Sequence, residues 1–288
     1  MISCGAGSSP GRTLLLFLTL FQQKPSNVLT FTAIMTNFDI HFPEINYRFP
    51  LAFVKGTGGT PFSFGVNHKK EIHINDFLIS KFLITQQLWE HIMGDNPSHF
   101  VGHDRPVENV SFNEITEKNG FLYKLNLDFG EKNNLIFRLP SETEWEYAAR
   151  GGIHWSDGFL FSGSNDINQV AWYELNSGKY TDPEIITKLK NQDKGTETHG
   201  VGQKLSNQLG IFDLCGNVWE WCQDYFQRDI NMIPNDGTPC LMESDNRVLR
   251  GGCHHNGAIH CTVSKRYEIF PAAKDECIGF RIAASVKK

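Results

Sequence analysis

The apolar residues between Tyr47 and Phe82 follow a pattern typical of short strands. The segment FPLAFVKGTGG is an apolar run that ends in a glycine-rich turn. The segment KEIHINDFLISKF then places apolar side chains at roughly every second position, namely Ile72, Ile74, Phe77 and Ile79. Successive side chains of a strand point to opposite faces, so this spacing predicts half-buried β-strands.

Three short helices are predicted after these strands. The first follows the capping residue Thr85 and ends at Gly94, and its apolar side chains are Leu88, Trp89, Ile92 and Met93. The other two begin at pairs that match the capping box, Ser111 with Glu114 and Ser141 with Glu144. In the third helix Trp145, Ala148 and Ala149 share one face, which predicts a core helix without a chemical role.

The chain after Gly151 has few regular patterns and many turn residues, so long irregular loops are expected there. Residues 37–288 contain no internal repeat and are predicted to form one loop-rich α+β domain.

Residues 1–36 form a separate N-terminal extension. Its apolar run TLLLFLTLF, from Thr13 to Phe21, is too short to span a bilayer but has the length of a signal-peptide core. The alternative is that the protein starts at Met35. The compartment therefore stays open between secreted or surface-exposed and cytoplasmic, and no transmembrane segment is expected.

Charge and cysteine content narrow the classes of partner. The chain has 27 Lys and Arg against 32 Asp and Glu, a net charge of −5 and a pI near 6.1. The basic surface expected of a nucleic-acid binder is absent, so nucleic acid is not an expected partner. The seven cysteines are an odd number without CxxC spacing, which indicates neither a disulfide framework nor a zinc ribbon.

The segment RGGCHHNGAIHC, from Arg250 to Cys261, concentrates two cysteines, three histidines and an asparagine. One hypothesis is a zinc or copper centre, because these residue types are ligands for both metals; the candidates are His254, His255, His260 and Cys261. Their spacing matches no known ligand pattern. Adjacent His254 and His255 would point in opposite directions in an extended segment, which counts against a common centre.

Three blocks of the chain resemble the formylglycine-generating-enzyme, or sulfatase-modifying-factor, family: RLPSETEWEYAARGG, GIFDLCGNVWEWCQDYF and RVLRGG…IGFRIA. They occur in the family's order. The segments KFLITQQLWEHIMGDNPSHF and RPVENVSFNE extend the resemblance over nearly everything from residue 50 onward. It implies the family's variant of the C-type lectin fold, which has little regular secondary structure.

The resemblance also implies a structural calcium site in the block DLCGNVWEW. Carried over residue by residue, its ligands are the side chains of Asp213 and Glu220 and the backbone carbonyls of Gly216 and Val218. Oxygen ligands of this kind suit calcium. The alternative is that the two acids only form hydrogen bonds within the turn.

The family's founding activity is a copper-dependent oxidation of a protein cysteine by oxygen, and it uses two cysteines five residues apart after RGG. Two thiolates suit Cu(I). In this chain the second position is Cys261, whereas the first is Asn256, which cannot supply a thiolate. An oxidase would need Cys253 to take that place beside Cys261. The oxidase is therefore kept as the alternative, and no catalytic residue is expected.

The C-terminal segment, about residues 250–281, also resembles the variable region of diversity-generating-retroelement variable proteins. The frame residues of that region stand here without insertion: Arg250, Gly251, Gly252, Cys261, Val263, Ser264, Arg266, Pro271, Ile278, Gly279, Phe280 and Arg281. We call the twelve positions at which asparagine recurs in the template the variable positions. In this chain they are His255, Asn256, Gly257, His260, Lys265, Tyr267, Glu268, Ile269, Phe270, Asp275, Glu276 and Cys277.

Changes at adenines in an asparagine codon give His, Gly, Tyr, Ile, Phe, Asp and Cys, which accounts for most of these residues. Glu268, Glu276 and Lys265 cannot arise in that way, and Thr262 replaces a frame arginine. Ordinary divergence among non-catalytic relatives could also produce such a set.

The sequence thus predicts a non-catalytic protein that binds a protein or cell-surface ligand through a diversified surface. Exposed aromatic residues with polar neighbours have the composition of a binding hot spot. The predicted ligand-binding residues are Cys253, His254, His255, Asn256, Gly257, His260, Lys265, Tyr267, Glu268, Ile269, Phe270, Asp275, Glu276 and Cys277. The alternation of side chains places Ile269 and Phe270 on opposite faces, so one of them is expected to be buried.

Overall fold

The alternating apolar residues after Tyr47 lie in antiparallel strands, as predicted. The computed structural model describes residues 37–66, 69–178, 184 and 195–287, so the predicted extension 1–36 lies outside the described residues. The strands are β1 Asn37–Phe42, β2 Tyr47–Val54, β3 Phe62–Phe64, β4 Lys70–Ile72, β5 Phe77–Ser80, β6 Leu135–Arg138, β7 Trp219–Tyr225, β8 Arg247–Arg250, β9 Arg266–Ile269, β10 Ile278–Gly279 and β11 Ala283–Val286.

Two sheets organise these strands. The larger has the order β1-β2-β5-β11-β6 and joins the first and last strands of the chain, with Ile79 of β5 opposite both Ala52 and Ala283. The smaller has the order β10-β7-β8-β9, in which β10 runs parallel to β7 and the other pairs are antiparallel. Strands β3 and β4 pair separately. The C-terminal segment, which begins at the last residue of β8, therefore supplies two of the four strands of the smaller sheet, β9 and β10.

The three predicted helices are confirmed, together with their caps. Thr85 accepts the Leu88 N–H through its side chain, Gly94 ends the helix at φ 88°, and both predicted capping boxes form. The described residues contain three further α-helices that were not predicted. In chain order the helices are α1 Gln86–Met93, α2 Phe112–Thr116, α3 Phe121–Leu125, α4 Glu131–Asn133, α5 Glu142–Ala149 and α6 Ile167–Val170. Among the described residues, no helix has the length and apolar character needed to cross a membrane.

Helix α5 is buried on every side. The predicted core face is confirmed, since Trp145, Ala148 and Ala149 are fully buried. Glu142 and Glu146 are buried as well, and both carboxylates bind the guanidinium of Arg250, at 2.9 and 2.6 Å. Buried charges are tolerated only when they are paired and hydrogen-bonded. The interpretation of α5 as a simple apolar core helix was therefore incomplete.

Two buried arginines fix both ends of the C-terminal segment to the rest of the domain. Besides its carboxylate partners on α5, Arg250 donates to the carbonyl of Val263 at 2.7 Å. At the other end, Arg281 donates to the two oxygens of Glu220 at 2.6 and 2.9 Å, and both side chains are fully buried. Buried ion pairs of Arg250 and Arg281 therefore anchor both ends of the segment to the core.

Candidate functional site

The segment after β8 turns sharply away from its strand. Gly251 and Gly252 have φ values of 96° and 76°, and a Cβ on Gly252 would lie 2.7 Å from the carbonyl oxygen of His260. Positive φ and a close backbone approach both favour glycine. The chain then continues through a short 3-10 helix, Ala258–His260, to β9 and through a loop to β10. We call the surface formed by residues 253–277 the C-terminal face.

Burial separates the frame of this segment from the residues between it. Of the twelve frame residues, nine are buried and the other three, Ser264, Arg266 and Pro271, are partly buried. Of the twelve residues that stand between them, none is buried, and His255, Tyr267, Phe270 and Asp275 are exposed. The division between frame residues and variable positions made from the sequence thus matches the division between mostly buried and unburied residues in the structure.

A surface pocket of about 410 Å³ opens in the C-terminal face. Its apolar wall is built around Tyr267, whose ring stacks on Trp219 with centroids 5.3 Å apart. Nine of the predicted ligand-binding residues line the pocket: Cys253, His255, Asn256, His260, Tyr267, Ile269, Phe270, Asp275 and Cys277. The remaining lining residues, among them Trp219, Leu249 and Lys274, were not predicted because they lie outside the variable positions.

Large apolar side chains project from this face. Phe270 is 56% exposed and Tyr267 is 48% exposed, whereas Ile269 is partly buried and packs against the core. The alternation expected for residues 269 and 270 therefore places the aromatic ring outward. Ile259 is 73% exposed on the same segment and was missed, because no variable position falls on it. Exposed aromatic side chains beside a pocket are typical of binding surfaces.

Two predicted contact residues lie beneath the surface instead. Cys253 is fully buried and reaches only the floor of the pocket, and His254 is fully buried outside it. The His254 ring packs edge-on against Phe100, and burial lowers its pKa to about 4. His255 is exposed, with its Nδ1 3.2 Å from the hydroxyl of Thr196. The two histidine rings lie 6.4 Å apart, but only His255 reaches the surface, so His254 does not contact the surface as predicted.

The donor set for copper does not fit in this structure. Cys261 is fully buried, and burial holds the pKa of its thiol well above the usual range. Asn256 uses its side-chain oxygen to accept the backbone N–H of Cys253 at 3.1 Å. The thiol of Cys253 lies against that of Cys277. Within the described ranges, no group of three or more His, Cys, Asp or Glu side chains is arranged to hold a metal ion. The four residues considered for a zinc or copper centre, His254, His255, His260 and Cys261, therefore do not form such a group.

The turn predicted to bind calcium is tight, with positive φ at Asp213, Gly216 and Asn217. Asp213 is buried; its Oδ2 accepts the N–H of Gly202 at 2.7 Å, whereas its Oδ1 has no hydrogen-bond partner. Burial raises the pKa of this carboxyl to about 6. Asp213 therefore fits a cation ligand, because a buried carboxylate oxygen without a partner is unfavourable.

Glu220, the other predicted acidic ligand, already has a counter-ion. Both of its oxygens accept from Arg281, and Oε2 also accepts the indole N–H of Trp145 at 2.7 Å. A carboxylate oxygen can accept more than one contact, so Oε1 keeps coordinating capacity. Calcium stays a prediction that rests mainly on Asp213.

Known proteins resemble this chain in both sequence and structure. It is 37% identical over 209 residues to the "Chaperone protein LppX" of Paenibacillus barcinonensis, covering 64% of this chain and 71% of that protein. It is 30% identical over 197 residues to the "Formylglycine-generating enzyme" of Thermomonospora curvata, covering 66% of this chain and 57% of that enzyme.

Among solved structures, "Treponema denticola variable protein 1" superposes with a TM-score of 0.70 and 27% identity, covering 87% of this chain and 99% of that one. "PvdO from Pseudomonas aeruginosa" superposes with a TM-score of 0.67 at 19% identity, a likeness of fold alone, covering 88% and 100% of the two chains. The fold is thus the loop-rich C-type lectin-like fold that was predicted.

The family match covers most of the domain. Residues 52–286 correspond to the "Sulfatase-modifying factor enzyme 1-like domain". Both predicted resemblances are confirmed, since formylglycine-generating enzymes match in sequence and a variable protein matches in structure. The chain belongs to the formylglycine-generating-enzyme, or sulfatase-modifying-factor, family.

Proposed function

We propose that this protein is a non-catalytic ligand-binding member of its family and that the C-terminal face binds a protein or a cell-surface molecule. The observation that carries the proposal is the division of residues 250–281, in which none of the twelve variable positions is buried. A surface that varies without disturbing the core is suited to recognition.

The pocket supports the same function. Its aromatic wall of Trp219 and Tyr267 is bordered by the polar side chains of His255, Asn256 and Asp275. Binding hot spots combine a large apolar anchor with polar neighbours that exclude water, so a pocket of this composition favours an apolar side chain or ring of a ligand. The structural likeness to a variable protein and the relative named a chaperone protein are consistent with a binding role.

The oxidase alternative has weaker support. It rests on the family and on Cys261, but Asn256 occupies the first of the two thiolate positions and the Cys261 thiol is buried with a raised pKa. A buried thiol with a raised pKa is a poor metal ligand, because the thiolate is the form that binds copper. The alternative predicts conversion of a cysteine-containing peptide when copper and oxygen are supplied.

We also propose calcium as a structural ion at Asp213, with the carbonyls of Gly216 and Val218 and the carboxylate of Glu220 as its other ligands. Calcium would supply positive charge and a partner for the free oxygen of Asp213.

The origin of the variable positions can be tested on DNA. We expect the flanking genomic sequence to hold a near-copy of the stretch that encodes residues 248–281, together with a reverse-transcriptase reading frame. The differences should fall at template adenines and within the codons of the variable positions. If sequencing of several kilobases on both sides finds no copy, the diversified origin is refuted, although a binding role can still be tested.

Binding can be tested by placing a photoreactive phenylalanine derivative at Phe270. Illumination with cell-surface fractions should cross-link a partner from this position. The matched control carries the derivative at Ile153, which is 57% exposed outside the C-terminal face. In a second variant, Tyr267→Ala should weaken capture by about 30-fold, the value for loss of a hot-spot contact of about 2 kcal/mol. Equal capture from both positions would argue against the proposed face.

A further inference from the structure

Two cysteine thiols meet at the floor of the pocket. Cys253 follows β8 and Cys277 precedes β10, and these strands flank β7 on its two sides. The Cys277 thiol hydrogen-bonds to the Cys253 thiol, and its Sγ lies 3.5 Å from Nε2 of His254. Both cysteines are free thiols in the structure. The binding function does not account for this pair, since neither thiol is needed to form the aromatic wall.

The two thiols differ in access. Cys277 is partly exposed and lines the pocket, whereas Cys253 is fully buried and forms its floor. A small molecule that enters the pocket can therefore reach Cys277 directly. Cys253 can react only with a group already attached at Cys277. This is the arrangement of an attacking thiol with a resolving thiol behind it.

We propose that Cys253 and Cys277 are a redox-active dithiol that a low-molecular-weight disulfide oxidises to an intramolecular disulfide. Cys277 loses its proton to solvent base and its thiolate attacks one sulfur of the small disulfide R–S–S–R, which releases RS⁻. The Cys253 thiolate, also deprotonated by solvent base, then attacks Sγ of Cys277 and releases the second RS⁻. The protein loses two electrons and two protons, and the small disulfide is reduced to two thiols.

The surroundings set the rate of this exchange. The hydrogen bond that the Cys277 thiol donates to Cys253 stabilises its protonated form, and together with burial it raises the pKa of Cys277. Burial also lowers the pKa of the neighbouring His254, so this histidine is neutral at neutral pH and does not stabilise the thiolate as a cation. Few thiolates form at neutral pH, and oxidation should accelerate as pH rises. The dithiol thus responds to sustained exposure to an oxidant at neutral pH and reacts fastest in alkaline solution.

Oxidation of the two thiols would constrain the segments that form the binding surface. A bond between residues 253 and 277 joins the turn after β8 to the loop before β10, and both segments line the pocket. This consequence rests on the proposed function, whereas the bond itself does not. We expect the reduced and oxidised forms to differ in capture from position 270.

The experiment treats the full chain with glutathione disulfide at about pH 9, where a larger fraction of each thiol is deprotonated than at neutral pH. Tryptic peptides are then mapped without reduction. Cleavage separates residues 251–265 from residues 275–281, so a linked pair reports the bond. Because the first peptide also contains Cys261, Cys261→Ala is the matched control and should keep the link.

The single variants have opposite expected products. Cys253→Ala should retain a glutathione adduct on Cys277, because the resolving thiol is missing. Cys277→Ala should carry neither the link nor an adduct on Cys253, because the buried thiol is not reached. Peptides linked through Cys261, or a wild-type protein that keeps glutathione on Cys277, would overturn the proposal. Both readouts are made without a ligand, so their failure leaves the binding proposal standing.

Discussion

Replacing Arg281 with methionine should strongly destabilise the fold without touching the binding surface. Arg281 and Glu220 are both fully buried and joined by two hydrogen bonds of 2.6 and 2.9 Å. The variant leaves the Glu220 carboxylate with the indole N–H of Trp145 as its remaining polar partner among those described above. Removing one member of a buried ion pair costs about 3–5 kcal/mol, because the other charge stays buried without compensation.

Chemical denaturation followed by circular dichroism gives the free energy of unfolding of both proteins. The expected loss corresponds to a fall in melting temperature of about 10 °C. The double variant Arg281→Met/Glu220→Gln removes both charges and should recover at least about 1 kcal/mol relative to Arg281→Met alone. A loss below about 1 kcal/mol in the single variant, or no recovery in the double variant, would refute the view that this pair holds the C-terminal segment.

Further predictions concern the other buried groups and the alternatives. Burial raises the pKa of Glu108 to about 7, so its contribution to the free energy of unfolding is present at low pH and is lost as pH rises through that value. Glu108→Gln should therefore be more stable than wild type at about pH 8. Equal pH profiles of the two proteins in urea titrations would contradict this. Calcium should raise the melting temperature of the wild type but not of Asp213→Asn, and a wild type indifferent to calcium would exclude the ion. Phe280→Ala, which empties a buried site, should cost about 3–5 kcal/mol, whereas the exposed Phe270→Ala should cost less than about 1 kcal/mol; similar losses would show that Phe270 is a core residue. Mass spectrometry of a cysteine-containing peptide incubated with the protein, copper and oxygen should show no oxidised product, and conversion lost in Cys261→Ala would restore the oxidase.

Local signals were enough to locate much of the fold. The caps at Thr85, Ser111 and Ser141 marked the starts of three helices because a side chain that satisfies the first N–H groups is a local feature. Helix α3 follows Gly120 without a side-chain cap, and no equivalent signal announced it. The buried partners of Arg250 lie more than 100 positions earlier on α5, and no periodic pattern connects residues so far apart.

The division of the C-terminal face into frame residues and variable positions could be predicted from the sequence, but the burial of individual residues in it could not. Comparison of residues 250–281 with the resembled variable region distinguished frame residues from variable positions, and the burial of the two groups follows the same division. The burial of Cys253 and His254 depends instead on the turn at Gly251 and Gly252 and on the packing of Phe100, which comes from a distant part of the chain. The approach of Cys277 to Cys253 likewise depends on β7 lying between β8 and β10.

The absence of fully buried residues among the twelve positions between the frame residues also limits how much a substitution there changes the free energy of unfolding. A substitution at an exposed site usually alters the free energy of unfolding by no more than about 0.5 kcal/mol. Four of the twelve positions are exposed and the other eight are partly buried. Even at about 0.5 kcal/mol each, twelve unfavourable changes would sum to about 6 kcal/mol, which would use up the stability of a domain at the low end of the typical range of about 5–15 kcal/mol. If the segment is diversified as proposed, several of these positions can change together while the domain still folds, but changes at all twelve are tolerated only when many of them are neutral.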